Sequence, residues 1–474
     1  MDFQPQELDL INGQKPSEDC AVVGFKGDTP AYFSILLALR ALQHRGQESA
    51  GMAIYNGERT VLKKGVGLVT EVFDSTKREL EGTTGIGHTR YSTAGSKNAG
   101  NAGPFLLNSS IGFASISHNG EIVNADSLRD EMKSQGITFQ TNSDTEVMLA
   151  ELVRDISKYG LKGGFEMSMK KLRGGYACAF SINDRLFAIR DPNGIRPLVI
   201  GKNQSGMIIA SETCAIDVLE GEVIRDVYPG EIIEIKDGKL ETITRIPATN
   251  TAHCMFEYVY FSRPDSILDS INVYGARVKM GMVLAKEHPV NADMVIPVPD
   301  SGRSQAIGFS MQSGISYAEG LIKNRYSERT FIMPDQNERK KAIRLKLNPI
   351  RSVIEGKKIV LVDDSIVRGN TMKYIVSLMK RYGASEVHVR IGSPHIVAPC
   401  YFGVDMKTKD QFIARGKNDE ELNTEIGSDS LAFLSIDGLK QAINMPGNNL
   451  CVGCLTGNYP VDISKYIIPD ITSF

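Results

Sequence analysis

No apolar run in the chain approaches the ~20 residues a helix needs to cross a bilayer, so no membrane span is expected. No signal peptide is expected either. Residues 1–19 set Asp2, Glu7, Asp9, Glu18 and Asp19 against the single Lys15 and have no apolar core. Nor is there an excess of one charge: 54 basic and 56 acidic residues give a net −2, which offers no general reason to bind nucleic acid or an anionic membrane. Internal repeats and low-complexity stretches are absent. Cysteine is sparse, 7 in 474 residues, and odd in number. Without an export signal, reduced thiols, metal ligands or a catalytic thiol fit better than disulfides, and the cytoplasm is the expected compartment. What remains is the composition expected of a soluble globular protein, long enough for two or three domains.

Pattern shifts near residue 250, where a domain boundary is expected. Before it, short β-branched or alternating runs separated by Gly, Asn and Asp, such as Glu231 to Ile235 and Leu240 to Ile246, predict antiparallel sheets. After it, strands alternate with longer helical patterns: Val273 to Glu287 reads as helix and Asp293 to Val298 as strand.

The most informative stretch is Ile359 to Thr371, IVLVDDSIVRGNT. Its apolar, largely β-branched start, Ile359 to Val362, predicts a strand buried on both faces of a parallel sheet. Asp363 and Asp364 follow at the strand's carboxyl end. After a loop comes a helical pattern with Met372, Ile375, Val376 and Met379 on one face, ended by Gly383. Val387, Val389 and Ile391 alternate as the next strand, which completes β-loop-α-β. Ligands of open α/β sheets bind at strand carboxyl ends, and free N–H groups at a helix N-terminus attract phosphate. A phosphate cradle beside two carboxylates suits a sugar phosphate, or a Mg2+ ion bridging to a second phosphate. By spacing alone, an acidic loop whose carboxylates only cap or solvate fits as well.

Basic charge gathers in one place. From Lys323 to Lys346 there are eight Lys or Arg against three Asp or Glu, as expected of a polyanion site or of a solvated basic face. Cys451-x-x-Cys454 has metal-ligand spacing, and Cys254 and Cys400 are the other two cysteines of this half; four thiolates suit zinc or an iron–sulfur cluster. Cys178 and Cys214 read as ordinary buried thiols.

IVLVDDSIVRGNT resembles the phosphoribosyl pyrophosphate (PRPP) signature of type I phosphoribosyltransferases, in the form carried by glutamine PRPP amidotransferases. In the first half, Cys20 to Phe25 (CAVVGF), Leu42 to Gly51 (LQHRGQESAG), Gly87 to Thr93 (GHTRYST), His118 to Asn124 (HNGEIVN) and Ser143 to Glu146 (SDTE) follow in order. This series is similar to the glutaminase domain of N-terminal-nucleophile amidotransferases over roughly 20–240.

The resemblance implies three parts: a propeptide, 1–19; an α+β N-terminal-nucleophile glutaminase domain, an αββα sandwich, 20–250; and an α/β type I phosphoribosyltransferase domain with a C-terminal cluster-binding segment, 251–474. It implies Cys20 as nucleophile, the Asn119 side chain and Gly120 N–H as oxyanion hole, and Arg90 and Asp144 as grips on glutamine's α-carboxylate and α-ammonium. Hydrolysing an amide needs a nucleophile and a base. A cysteine at a mature N-terminus supplies both, because its α-amine, with a pKa of about 7.7–8.0, relays the thiol proton. The peptide bond before Cys20 must then be cut.

In the second half the resemblance implies Mg2+ at Ser301, Asp363 and Asp364. PRPP would be held by Lys323, Tyr326, Arg329, Lys346, Ser365, Arg368, Gly369, Asn370 and Thr371, with the basic segment closing as a lid. Cys254, Cys400, Cys451 and Cys454 match the ligand positions of the [4Fe–4S] subgroup, as a staple from the start of the second domain to the chain's end. The implied reaction turns glutamine, PRPP and water into 5-phosphoribosylamine, glutamate and pyrophosphate, the first step of purine synthesis, with ammonia travelling inside the protein. A homotetramer inhibited by purine nucleotides is expected.

Three positions depart from the family: Ala21 and Glu328 stand where Gly is usual, and Asn370 where Thr is usual. Taken singly, Asn119-Gly120 also reads as a hairpin turn, and Arg90 and Asp144 as surface charges. Two rival readings explain less. An amidotransferase with a sugar-isomerase domain leaves the PRPP loop and the cysteines unexplained. A regulatory protein or degenerate paralogue that only binds PRPP leaves Cys20, Arg90, Asn119 and Asp144 unexplained.

Overall fold

The computed structural model describes residues 20–90, 99–246, 248, 250–324, 347–406, 412–446 and 449–466. The expected propeptide and most of the expected basic lid, with Tyr326, Glu328, Arg329 and Lys346, lie outside the described residues, as do Tyr91, Ser92 and Thr93.

The amino-terminal half is built from strands β1 (Ala21–Gly27), β2 (Ser49–Tyr55), β3 (Thr60–Val66), β4 (Thr84–Arg90), β5 (Phe105–Ser109), β6 (Gly112–Ile122), β7 (Gly174–Ile182), β8 (Arg185–Arg190), β9 (Val199–Asn203), β10 (Gly206–Ala210), β11 (Glu222–Asp226), β12 (Glu231–Lys236) and β13 (Lys239–Arg245). They form a seven-stranded sheet in the order β11-β9-β10-β1-β4-β2-β3 and a six-stranded sheet in the order β13-β12-β8-β7-β6-β5. Neighbours within both sheets are antiparallel, as the short alternating runs predict.

Alternation along each strand explains the layering, because successive side chains point to opposite faces. On β1, Ala21, Val23 and Phe25 pack against the helix Ala31–Ala41, while Val22 faces the other sheet. On β7, Tyr176, Cys178 and Phe180 pack under the helix Asp144–Lys171, while the small Ala177 and Ala179 let the two sheets approach. Helix Ala31–Ala41 buries Tyr32, Ile35, Leu36 and Leu39, one face at helical spacing, each such side chain contributing about 1.5–3 kcal/mol. The result is an α/β/β/α sandwich. The Ala21 methyl lies in the helix-facing core.

In the second half, strands Met294–Pro297, Lys358–Asp363, Glu386–Ile391 and Ser430–Phe433 make a four-stranded parallel sheet in that order. Ile359, Val360, Leu361 and Val362 are each 0 % exposed. Val360 and Val362 join the core on one face and Ile359 and Leu361 the core on the other, as a central strand requires. Helix Asn370–Arg381 buries Met372, Ile375, Val376 and Met379, the face read from the sequence. Helix Val273–Glu287 is capped by the Asn272 side chain, which accepts from the Gly275 N–H at 2.7 Å. The chain's end returns to this domain's start: Leu450–Cys451 pairs in parallel with His253–Cys254.

One local expectation fails. Asn119-Gly120 forms no hairpin turn; both residues lie inside β6, paired with Ala177 and Tyr176 of β7. The ladder with β7 runs over nine residue pairs, and it overrides the turn preference of the dipeptide.

Candidate functional site

A cavity of about 280 Å3 opens at the ends of β1, β4 and β6, lined among others by Cys20, His88, Arg90, Gly120, Asp144 and Gly403. Strand order brings these residues together. Cys20 directly precedes β1, and β1 pairs with β4 so that Ala21 lies opposite Thr89, which sets Arg90 beside Cys20. Gly120 comes from β6, and Asp144 is the first residue of its helix, where the helix dipole favours a carboxylate. Asp144 Oδ2 accepts from the Ile122 N–H at 3.0 Å, and Arg90 Nη1 donates to the Asn101 carbonyl at 2.5 Å.

Gly120 has φ +135°, and a Cβ there would stand 2.0 Å from the Gly175 carbonyl oxygen, so no other residue fits. Asn119 is 0 % exposed, and neither its amide nitrogen nor its amide oxygen has a hydrogen-bond partner among the described residues. A buried amide left without a partner is rare, and here it is suited to a ligand oxygen. Two imidazoles flank the cavity. Burial pushes His88 down to about 3 and His118 below its ordinary value, so both are neutral at pH 7, and His88 Nε2 stands 3.0 Å from the His118 carbonyl oxygen.

The second candidate site lies at the carboxyl ends of Met294–Pro297 and Lys358–Asp363, adjacent parallel strands. Ser301 sits in the turn after the first, Asp363 and Asp364 at the end of the second. Both aspartates are buried, at 3 % and 0 % exposed. The Asp364 N–H donates to Asp363 Oδ1 at 2.9 Å, and Ser365 Oγ donates to Asp364 Oδ2 at 2.7 Å. Two carboxylates so buried call for a cation. The buried Arg277 acts on them at longer range: burial lowers its guanidinium to about 10, opposed chiefly by the charge of Asp364, while its hydrogen bonds go to the Tyr258 and Ser262 carbonyls. Gly369, at φ +76°, precedes the helix Asn370–Arg381, whose first N–H groups receive no side-chain cap and are suited to phosphate. Arg368, Asn370 and Thr371 are half-buried around it. Lys323 Nζ lies 3.5 Å from Asp300 Oδ2, next to Ser301.

Cys254, Cys400, Cys451 and Cys454 line one small apolar cavity together with Arg196, Phe402 and Tyr459. Burial raises the Cys451 thiol to about 12 and lifts Cys254 and Cys454 well above the ordinary range, with neighbouring thiols adding to each. Among the described residues no group of three or more His, Cys, Asp or Glu side chains stands at metal-binding spacing. The chemistry of the donor set nevertheless fits a thiolate-bound metal, because only a cation makes deprotonation favourable there.

Four residues in or behind the first cavity are given no role by the sequence. Arg45, Arg196, Glu257 and Gly403 meet at the contact between the two halves. Gly403 lines the first cavity from the second half, and a Cβ on it would stand 2.9 Å from Gly120. Arg45 belongs to the LQHRGQESAG motif, but its partners lie as far as 212 residues away.

Residues 88–218 match the family described as a glutamine amidotransferase domain, and residues 285–393 the phosphoribosyl transferase domain family. The amidophosphoribosyltransferase of Methanocaldococcus jannaschii is 49 % identical over 447 residues, covering 91 % of this chain and 94 % of that protein. That of Bacillus subtilis is 44 % identical over 453 residues, covering 94 % and 95 %. A solved structure, glutamine PRPP amidotransferase from Bacillus subtilis complexed with ADP and GMP, matches with a TM-score of 0.88 at 43 % identity, covering 94 % of this chain and 98 % of that one. Relatives named as enzymes across nearly the whole length do not favour a PRPP-binding regulatory protein. With both sites on the page and these relatives spanning both halves, the chain belongs to the amidophosphoribosyltransferase family, enzymes of purine biosynthesis that move the amide nitrogen of glutamine onto PRPP.

Proposed function

We propose that the two half-reactions run at the two strand-end sites. Residues 20–250 are the glutaminase domain, 251–474 the phosphoribosyltransferase domain, and 1–19 a propeptide. Cys20 attacks the glutamine amide, and its α-amine relays the proton once the preceding peptide bond is cut. Asn119 and the Gly120 N–H hold the oxyanion, each such donor being worth about 3–4 kcal/mol. Arg90 takes the α-carboxylate and Asp144 the α-ammonium. One observation carries this reading: a thiol faces a cavity with a guanidinium and a carboxylate in its wall, next to a buried amide that has no partner among the described residues.

Ser301, Asp363 and Asp364 hold Mg2+, which when bound supplies positive charge to the departing pyrophosphate. Ser365, Arg368, Gly369, Asn370 and Thr371 cradle phosphate, joined by Lys323, Tyr326, Arg329 and Lys346. Ammonia passes from one site to the other inside the protein, since in neutral water it is mostly protonated. Asn370 in place of Thr keeps a helix-starting N–H for the phosphate. Cys254, Cys400, Cys451 and Cys454 bind a [4Fe–4S] cluster that stabilises their thiolates and ties the chain's end to the start of the second domain. Purine nucleotides inhibit a cytoplasmic homotetramer; a relative crystallised with ADP and GMP supports the nucleotide part.

Two measurements test the processing and the cluster. Intact mass of active enzyme is expected to begin at Cys20, and active protein retaining Met1 to Asp19 overturns the propeptide. Anaerobically purified protein is expected to carry about four iron and four sulfide per chain. Cys454→Ser should lose both and melt several degrees lower; zinc in place of iron overturns the cluster.

A further inference from the structure

We propose that Glu257, from the transferase half, is a positioning residue for the glutaminase, fixing the backbone of Cys20 through Arg45. The inference rests on the assignment of Cys20 as nucleophile. Arg45 Nε donates to the Cys20 carbonyl oxygen at 3.2 Å. Its two terminal nitrogens grip Glu257 as a fork, Nη1 to Oε2 at 2.9 Å and Nη2 to Oε1 at 2.7 Å. A planar guanidinium held at two corners has its third corner constrained, so the carboxylate of Glu257 restrains where Nε points. Glu212, from the glutaminase half, also accepts from Arg45 Nη1, at 2.7 Å, a single contact where Glu257 makes two.

The network continues into the transferase half. Ser262 Oγ donates to Glu257 Oε2 at 2.6 Å, and Arg196 Nη1 lies 3.4 Å from Glu257 Oε1. Arg196 also donates from Nε and Nη2 to the Phe402 carbonyl oxygen, at 2.8 and 2.6 Å, two residues beyond Cys400 and next to the Gly403 that packs on Gly120. Arg45, Glu257 and Arg196 are all buried, at 1 %, 2 % and 0 % exposed, so solvent does not screen them. Nucleophile and oxyanion strand are thus held from the other domain at two points. A nucleophile displaced by about 1 Å loses roughly 100-fold in rate while its substrate still binds.

The test is Glu257→Gln in the full-length enzyme, which keeps the side chain's shape and removes the charge. Glutamine-dependent kcat is expected to fall about 10- to 100-fold, with KM for glutamine within about threefold and ammonia-dependent synthesis unchanged. Labelling of Cys20 by a glutamine-like diazoketone should slow in parallel. Glu257→Asp, which keeps the charge at shorter reach, should retain more activity than Glu257→Gln. The proposal is overturned if Glu257→Gln leaves glutamine-dependent kcat within twofold, if ammonia-dependent synthesis falls equally, or if neither variant folds, since the role is then structural. A Cys20→Ala enzyme run alongside separates the two ideas: glutamine-dependent turnover surviving there overturns Cys20 as nucleophile, whatever Glu257 does.

Discussion

Cys20→Ala is expected to lose glutamine-dependent phosphoribosylamine formation by about 10⁴-fold or more, while ammonia-dependent formation persists. The thiol is the proposed nucleophile, so its removal would leave only binding and oxyanion stabilisation, acting on water as a poor nucleophile. The fold should hardly notice. Cys20 is half-buried at the start of β1, and the strand's stability comes from Ala21, Val22, Val23 and Phe25 in the two cores on its faces. Free ammonia bypasses the first cavity and still meets PRPP at the second. The measurement is pyrophosphate release with either nitrogen donor. Loss of both rates would mean that the two chemistries share one site, and survival of the glutamine rate would move the nucleophile elsewhere.

Asp364→Asn should abolish both rates, by about 100-fold or more, and leave glutamine hydrolysis measurable. Asp364 is fully buried, accepts from Ser365 Oγ and is the chief opposite charge facing the buried Arg277. An amide in its place keeps the volume but removes the negative charge proposed to hold Mg2+. It also removes the carboxylate that most favours the charged form of the buried Arg277. A lowered melting temperature is therefore expected beside the lost activity. Glutaminase activity reads the two effects apart: its survival shows a folded enzyme with an empty transferase site, and its loss with a collapsed melt shows unfolding instead. A variant with normal PRPP turnover would take the metal role from Asp364.

Local pattern carried further in some places than in others. The β-loop-α-β unit from Ile359 to Ile391 was readable because each part depends on near neighbours. A run of buried β-branched residues, a 3.6-residue stripe and a terminating glycine all act within a few residues. Asn119-Gly120 marks the limit of that kind of reading. As a dipeptide it favours a turn, and only the nine-pair ladder with β7 keeps it in mid-strand, where Gly120 supplies the positive φ and the Asn119 amide is buried with no partner among the described residues. Ala21 shows the same limit: in sequence it is only a departure from the family's usual Gly, and strand alternation is what turns its methyl into the core.

The amino-acid sequence by itself determined the order of elements, the family, and which residue types stand at each strand end, because these follow from periodicity and from motifs contiguous along the chain. Tertiary structure alone decided that Arg45 faces Glu257, that Arg196 reaches the Phe402 carbonyl, and that Gly403 closes the wall of a cavity built by the other half. A buried charge must find its partner wherever docking places one, and nothing in local spacing encodes which of many carboxylates that is.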